Sequence, residues 1–266
     1  MNMKRWCVKV QDILIRDFPQ TGGAGTRRSR RGLAIGLLGA ALGAAQAADF
    51  VPVQTFYVPV PEDQRLEAMV AIAGGRTGDY APRDPIHSVL SIAVFANDTQ
   101  IHYDQWEDGY EADLNAPTNS STQVWGDGDD GNGICPGFAN DPFGLPAGTV
   151  ITLKNEVPVP RDFNTHPYLY DAGDRVGGTK AITISRACWE SYQRGTAQAS
   201  AVEVISTLDH GVHYIAPVGI DTPAYGMFSY VDLMVMADMD DTTVIVDPDG
   251  TGTSVTTNII DRGALG

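Results

Sequence analysis

The sequence predicts a mainly all-β fold: a β-sandwich-like unit with one short helix, then the start of a second, similar unit. Three observations carry this expectation. Short β-prone runs recur between turn-forming residues, and only one segment has helical periodicity. In addition, 29 Gly and 16 Pro among 266 residues leave little room for long helices. Hydrophobic residues form 43% of the chain, enough for a true core.

The elements follow in order. Residues 1–48 carry eight Lys/Arg against Asp12 and Asp17, a net +6. Arg27-Arg28-Ser29-Arg30-Arg31 precedes an apolar run, Leu33–Ala45, and Ala45-Gln46-Ala47 has the small-x-small form of a cleavage site. That order of features predicts an export signal cut between Ala47 and Ala48, or one residue later. The run is shorter than the ~20 residues a membrane span needs, so no transmembrane segment is expected in the mature chain. Ser29–Leu33 fits a twin-arginine route, and the whole leader fits the general secretory route equally well.

Phe50–Val60 is β-prone and broken by proline, as an edge strand is. Pro61-Glu62-Asp63 opens the single helix, whose apolar stripe is Leu66, Met69, Val70 and Ala73 and whose stop is Gly74-Gly75. Strands are then expected at 88–96, 99–104, 149–154, 180–186, 201–207, 212–217, 231–237, 242–246 and 253–260. Ser91–Asp104 (SIAVFANDTQIHYD) is echoed by Met234–Asp247 (MVMADMDDTTVIVD), 143 residues later. The expected organisation is a leader (1–48), a β-rich domain (49–222) and the beginning of a related unit (223–266), as though the chain belonged to something longer.

The least conventional stretch is Ile101–Gly133. Asp104, Glu107, Asp108, Glu111, Asp113, Asp127, Asp129 and Asp130 crowd it, beside Tyr103, Trp106, Tyr110 and Trp125. Like charges at that density need a cation, basic partners or water. Their oxygens are ligands Ca²⁺ accepts, so these eight residues form a candidate Ca²⁺ site, although their spacing is not that of an EF-hand. The same acids would serve a glycosidase if two faced each other across a cleft, and the aromatics would stack on sugar rings. His210 and His213 form an HxxH that a plain turn explains better than a metal site, since residues three apart on a strand face opposite sides. The sequence holds no GxSxG, P-loop or HExxH.

Charge and cysteines narrow the setting. Net charge is −15 overall and −21 once the leader is set aside, which argues against nucleic acid or an anionic membrane as partner. After cleavage only Cys135 and Cys188 remain. In an oxidising compartment they are expected to join in a disulfide worth about 4 kcal/mol, the alternative being two buried thiols.

Four stretches carry a family resemblance: Tyr57–Gln64 (YVPVPEDQ), Tyr103–Asp113 (YDQWEDGYEAD), Val124–Gly128 (VWGDG) and Tyr170–Arg175 (YDAGDR). They resemble the amino-terminal β-rich region of large secreted or surface-attached bacterial proteins of the adhesin type, which continue into repeats. Lys180–Arg186 and His213–Gly219 are similar in pattern to the β-rich domain named after the IgG-Fc-binding protein. The resemblance implies a secreted or cell-surface, non-catalytic structural or adhesive module whose partner is an extracellular protein or glycan. It brings no catalytic residue with it. A Ca²⁺-dependent carbohydrate-binding module is the alternative, and a secreted glycan-active hydrolase the third.

Overall fold

A computed structural model describes residues 6–11, 54–59, 62, 85–158, 162, 164–165, 169–190, 199–216 and 233–263. All of them belong to one compact unit, Met1–Asp12 with Phe50–Gly266; the other, Ile13–Asp49, lies outside the described residues, and so do the expected cleavage site and the 222/223 boundary. The expected helix also lies outside them, except for Glu62, which is helical and buried.

Twelve strands run in chain order: β1 Trp6–Gln11, β2 Gln54–Tyr57, β3 Ile86–Val94, β4 Ile101–Asp104, β5 Gln123–Trp125, β6 Val150–Val157, β7 Arg175–Gly178, β8 Ile182–Glu190, β9 Ala199–Val204, β10 His213–Ala216, β11 Thr242–Asp247 and β12 Thr256–Ile260. They form three four-stranded antiparallel sheets, ordered β2-β7-β4-β5, β6-β3-β8-β9 and β10-β1-β11-β12. Helical turns among the described residues are limited to two short 3-10 segments, Trp106–Asp108 and Thr207–Asp209, and Glu62. No helix of the described residues is long and apolar enough to cross a membrane.

Alternation explains how the first two sheets meet. Along β3, burial alternates strictly, placing Leu90, Ile92 and Val94 on one face. These pack with Ile151, Leu153, Ile182 and Ile184 of the same sheet and with Phe56, Ile101, Tyr103, Trp125 and Val176 of the other. The result is an all-β, sandwich-like core, as expected. The third sheet has a smaller core of Ala237, Val244 and Ile260.

The internal echo is realised in three dimensions. Asp98 and Asp241, 143 residues apart, both adopt a left-handed turn, at φ 56° and 57°. The threonine after each closes the turn: Thr99 Oγ1 donates to Ala96 O and Thr242 Oγ1 to Met239 O, each at 2.7 Å. Aspartate tolerates that conformation better than most residues, which is why it stands at both positions. The likeness extends to sheet order, with β10, β1, β11 and β12 occupying the places of β2, β7, β4 and β5. Thr55-Phe-Tyr57 and His213-Tyr-Ile215 also take corresponding registers, against β7 and β1 respectively.

The expected disulfide is absent. Cys135 and Cys188 are both buried, and neither is in a disulfide. Cys135 belongs to the main core, whereas Cys188 packs on Ile86 at the far end of β8, its Sγ 3.1 Å from Ser200 Oγ. Each thiol is thus accommodated where it stands, as small buried hydrophobes are.

Candidate functional site

The acidic stretch begins where β4 ends. Asp104 is fully buried, and its Oδ2 accepts from Arg175 Nε at 2.9 Å and from the Glu111 N–H at 3.1 Å. Thr122 Oγ1 donates to its other oxygen at 3.2 Å. The second arm of Arg175 reaches Glu111 O at 2.6 Å, so one guanidinium ties strand, loop and neighbouring strand together. Burial pushes the Asp104 carboxyl above its ordinary value, and Arg175 with the Glu111 N–H offsets only part of that rise.

Glu111 closes the next turn of the loop. Its Oε1 accepts from the N–H groups of Asn119 at 2.5 Å and Thr118 at 2.6 Å. Burial works to raise this carboxyl, but those N–H groups and the threonine hydroxyls outweigh it and hold it below its ordinary value. Asp108 accepts from Ser121 Oγ at 2.5 Å, and Asp113 caps Asn115 N–H at 2.9 Å. Asp127 caps Asp129 N–H at 2.9 Å and Asp129 caps Gly131 N–H at 2.8 Å. Asp130 accepts from the Asp141 N–H at 2.6 Å.

Asp141 is the hub of the second half of the loop. Its Oδ2 collects the N–H groups of Gly126 (2.7 Å), Asp127 (3.0 Å) and Gly128 (3.0 Å), and its Oδ1 that of Cys135 (3.1 Å). A buried carboxylate ringed by backbone donors fixes a turn as firmly as a bound anion would. Burial, aided by Asp141, pushes the Cys135 thiol up to about 12.

The eight expected Ca²⁺ ligands therefore face several ways. Among the described residues, one group of three carboxylates brings its oxygens within 4.8 Å of one another: Glu107, Asp171 and Asp174. Of these, only Glu107 is in the expected set. Asp174 also accepts from Tyr103 Oη at 2.7 Å and from the N–H groups of Asp171 (3.2 Å) and Trp106 (3.3 Å). Burial, then the Asp174 charge, raises the Tyr103 hydroxyl well above its ordinary value. The signal for Asp171 and Asp174 lay in the word YDAGDR, which displays two more acids beside Arg175. For Asp141, flanked by Asn140 and Pro142, the sequence offered none.

The aromatic residues divide by accessibility. Trp125 and Tyr103 are fully buried and packed 5.3 Å apart, with Tyr170 5.1 Å from Tyr103, so neither ring of the first pair is open to a sugar. Trp106 and Tyr110 are half-buried at the surface. Gly173 supports both: its carbonyl accepts from Tyr110 Oη at 2.5 Å, and a Cβ there would sit 2.6 Å from Trp106 Cδ1. With φ at +99°, this position favours glycine twice over.

Beneath the loop lies a second buried ion pair. Glu62 and Arg186 are both buried and bonded to each other, and the Ala172 N–H reaches Glu62 Oε2 at 3.5 Å. Three of the stretches quoted for the family resemblance, around Glu62, Tyr103–Asp113 and Tyr170–Arg175, thus meet in one assembly. The two histidines of the HxxH do not share a ligand set: His210 Nδ1 lies 2.9 Å from Asp238 Oδ2, a hydrogen bond that raises its pKa, while His213 lies on β10. A cavity of about 340 Å³ opens beside that pair, lined by Tyr214, Met234 and Met236 and by none of the eight acids.

Compared with known protein families, curated proteins and solved structures, the chain matches none.

Proposed function

We propose that this chain is a non-catalytic module of an exported protein, a β-sandwich that presents the 105–133 loop to an extracellular protein or glycan. The observation that supports it is how the loop spends its carboxylates. Asp104, Glu111 and Asp141 hold backbone in place, whereas Asp108, Asp113, Asp129 and Asp130 are exposed. A loop ordered by buried polar contacts, with a fixed set of charges outward, is the form a recognition surface takes on a rigid scaffold. The resemblance to surface proteins points the same way, and the leader supplies the route out of the cell.

The test replaces Asp108, Asp113, Asp129 and Asp130 together by Asn. The amide oxygen can still cap each turn, so the fold is kept while four charges go. Cells displaying the native chain are expected to attach to surfaces coated with extracellular glycans or proteins, and cells displaying the variant to lose that attachment at unchanged Tm. Equal attachment refutes the proposal. N-terminal sequencing of the released protein checks the export half: it should begin at Ala48 or Asp49.

A Ca²⁺-dependent version of the same role has one observation in its favour, the 4.8 Å grouping of Glu107, Asp171 and Asp174. A cation bound there stabilises the folded chain by about 2.7 kcal/mol at a hundredfold excess over Kd. Melting curves with Ca²⁺ and with EDTA should then separate; coincident curves remove the calcium version and leave the first proposal standing.

A further inference from the structure

The third sheet contains a place that no other described residue of its own unit fills. In the first copy, β4 is flanked by β5 and β7, and β7 follows both in the chain. In the second, β11 is flanked by β12, as expected, but the place of β7 is taken by β1, from residues 6–11. The registers coincide. Asp104, Tyr103, His102 and Ile101 stand opposite Arg175, Val176, Gly177 and Gly178. Asp247, Val246, Ile245 and Val244 stand opposite Cys7, Val8, Lys9 and Val10.

From this equivalence we propose that the slot between β10 and β11 is a strand-acceptor site for a β7-like strand of a partner protein, for which Trp6–Gln11 stands in. The inference rests on the export proposal in one respect. Cleavage after Ala47 removes the stand-in and leaves two bare strand edges. With no strand between them, β10 and β11 are about 10 Å apart, beyond hydrogen-bond reach. Such edges are taken up by an incoming extended segment, whose backbone supplies the affinity and whose alternate side chains supply the choice.

The chemistry of the donor follows from the first copy. There the strand places an arginine on the aspartate that ends β4. Asp247 ends β11 in the same way, and its oxygens accept from the turn amides of Gly250 and Gly252, at 2.9 Å each. Asp249, in the turn that follows, adds a second negative charge beside it. The donor is therefore an extended, proline-free segment with arginine opposite Asp247 and small or β-branched residues opposite Val244–Val246.

The test uses the full chain carrying Val8→Pro and Val10→Pro, which removes two backbone donors from the central strand. Amide exchange is followed at 213–216 and 242–247, with β3 and β8 as the control for an intact sandwich. Exchange in the third sheet should quicken by about tenfold or more. A synthetic peptide of residues 173–180 should restore protection, and the same peptide with Arg175→Glu should not. Unchanged exchange in the variant, no recovery with the peptide, or equal recovery with both peptides overturns the proposal. In the native chain, excess peptide should speed exchange at 6–11 while β10 and β11 stay protected, which needs no destabilised variant. Dimers of the native chain held by exchanged 6–11 strands would make a second copy the donor and also overturn it. The N-terminal sequence of the released protein reports on export separately.

Discussion

Replacing Arg175 by Met removes the cation paired with a fully buried carboxylate while keeping most of the side chain's bulk. Asp104 then has the Glu111 N–H and Thr122 Oγ1 as its remaining hydrogen-bond donors, and Glu111 O loses the Arg175 arm. Breaking a buried pair from one side costs about 3–5 kcal/mol, because a charge is left without its counter-ion. By contrast, Lys180→Met breaks a 3.9 Å pair with exposed Asp98 and an exposed 2.6 Å bond to Asn97 O, and should cost at most about 1 kcal/mol. Urea unfolding of the three proteins measures both. The sign of the pH dependence adds a second check. The folded pKa of Asp104 lies above its unfolded value, so its contribution is present in full at low pH and lost as pH rises through the folded value. Without Arg175 that pKa climbs further, so the deficit of the variant should shrink on acidification from about pH 7 to pH 4. Asp104→Asn in the same chain should recover part of the loss. A deficit below about 1 kcal/mol, or one that does not shrink in acid, refutes the account of this pair.

Glu111 has the opposite sign: its folded pKa is lowered, so its stability is present above the unfolded value and lost as pH falls through the folded one. Glu111→Gln should cost about 1–2 kcal/mol near neutrality and flatten the acid limb of stability against pH; an unchanged limb refutes this. Gly173→Ala places a methyl 2.6 Å from Trp106 Cδ1 at φ +99°, so a loss of about 1–3 kcal/mol and a changed Trp fluorescence are expected. Neither Cys135 nor Cys188 should react with a thiol reagent in the folded chain at neutral pH, and both should react in urea without reductant; a mass showing them already joined refutes two separate thiols.

The frame was legible because strands announce themselves locally. Val89–Val94 alternates or runs apolar, Asn97-Asp98 and Asp240-Asp241 are turn pairs, and the echo between them is visible by eye. The acidic stretch was legible as a place but not as a mechanism. Its principal cation, Arg175, is 71 residues from Asp104, and Asp141 is 15 residues from the first amide it holds. Nothing local says which of nine nearby carboxylates turns inward. The disulfide failed for a related reason: compartment chemistry predicts whether thiols oxidise, but pairing needs proximity that neither spacing nor composition supplies. The strand at Trp6–Gln11 went unseen because the whole leader read as a signal, although WCVKVQ alternates.

The duplication provides an internal control on what the loop is for. Both copies keep the Asp-Thr turn, the aspartate that ends the following strand and the same sheet order. They differ in what joins the next two strands: 105–122 in the first copy, 248–255 in the second. The short connection is a turn capped by Asp247 and Asp249, and it suffices to close the hairpin. Closing a hairpin therefore does not require Trp106, Glu107, Tyr110 or Glu111. Nor does it require the buried Asp104–Arg175 pair, since buried ion pairs commonly stabilise no more than well-packed apolar residues of similar volume. What the long connection adds is a fixed outward surface together with the Glu107–Asp171–Asp174 group. Those features lie in the copy that differs from the frame, and closing the hairpin does not account for them.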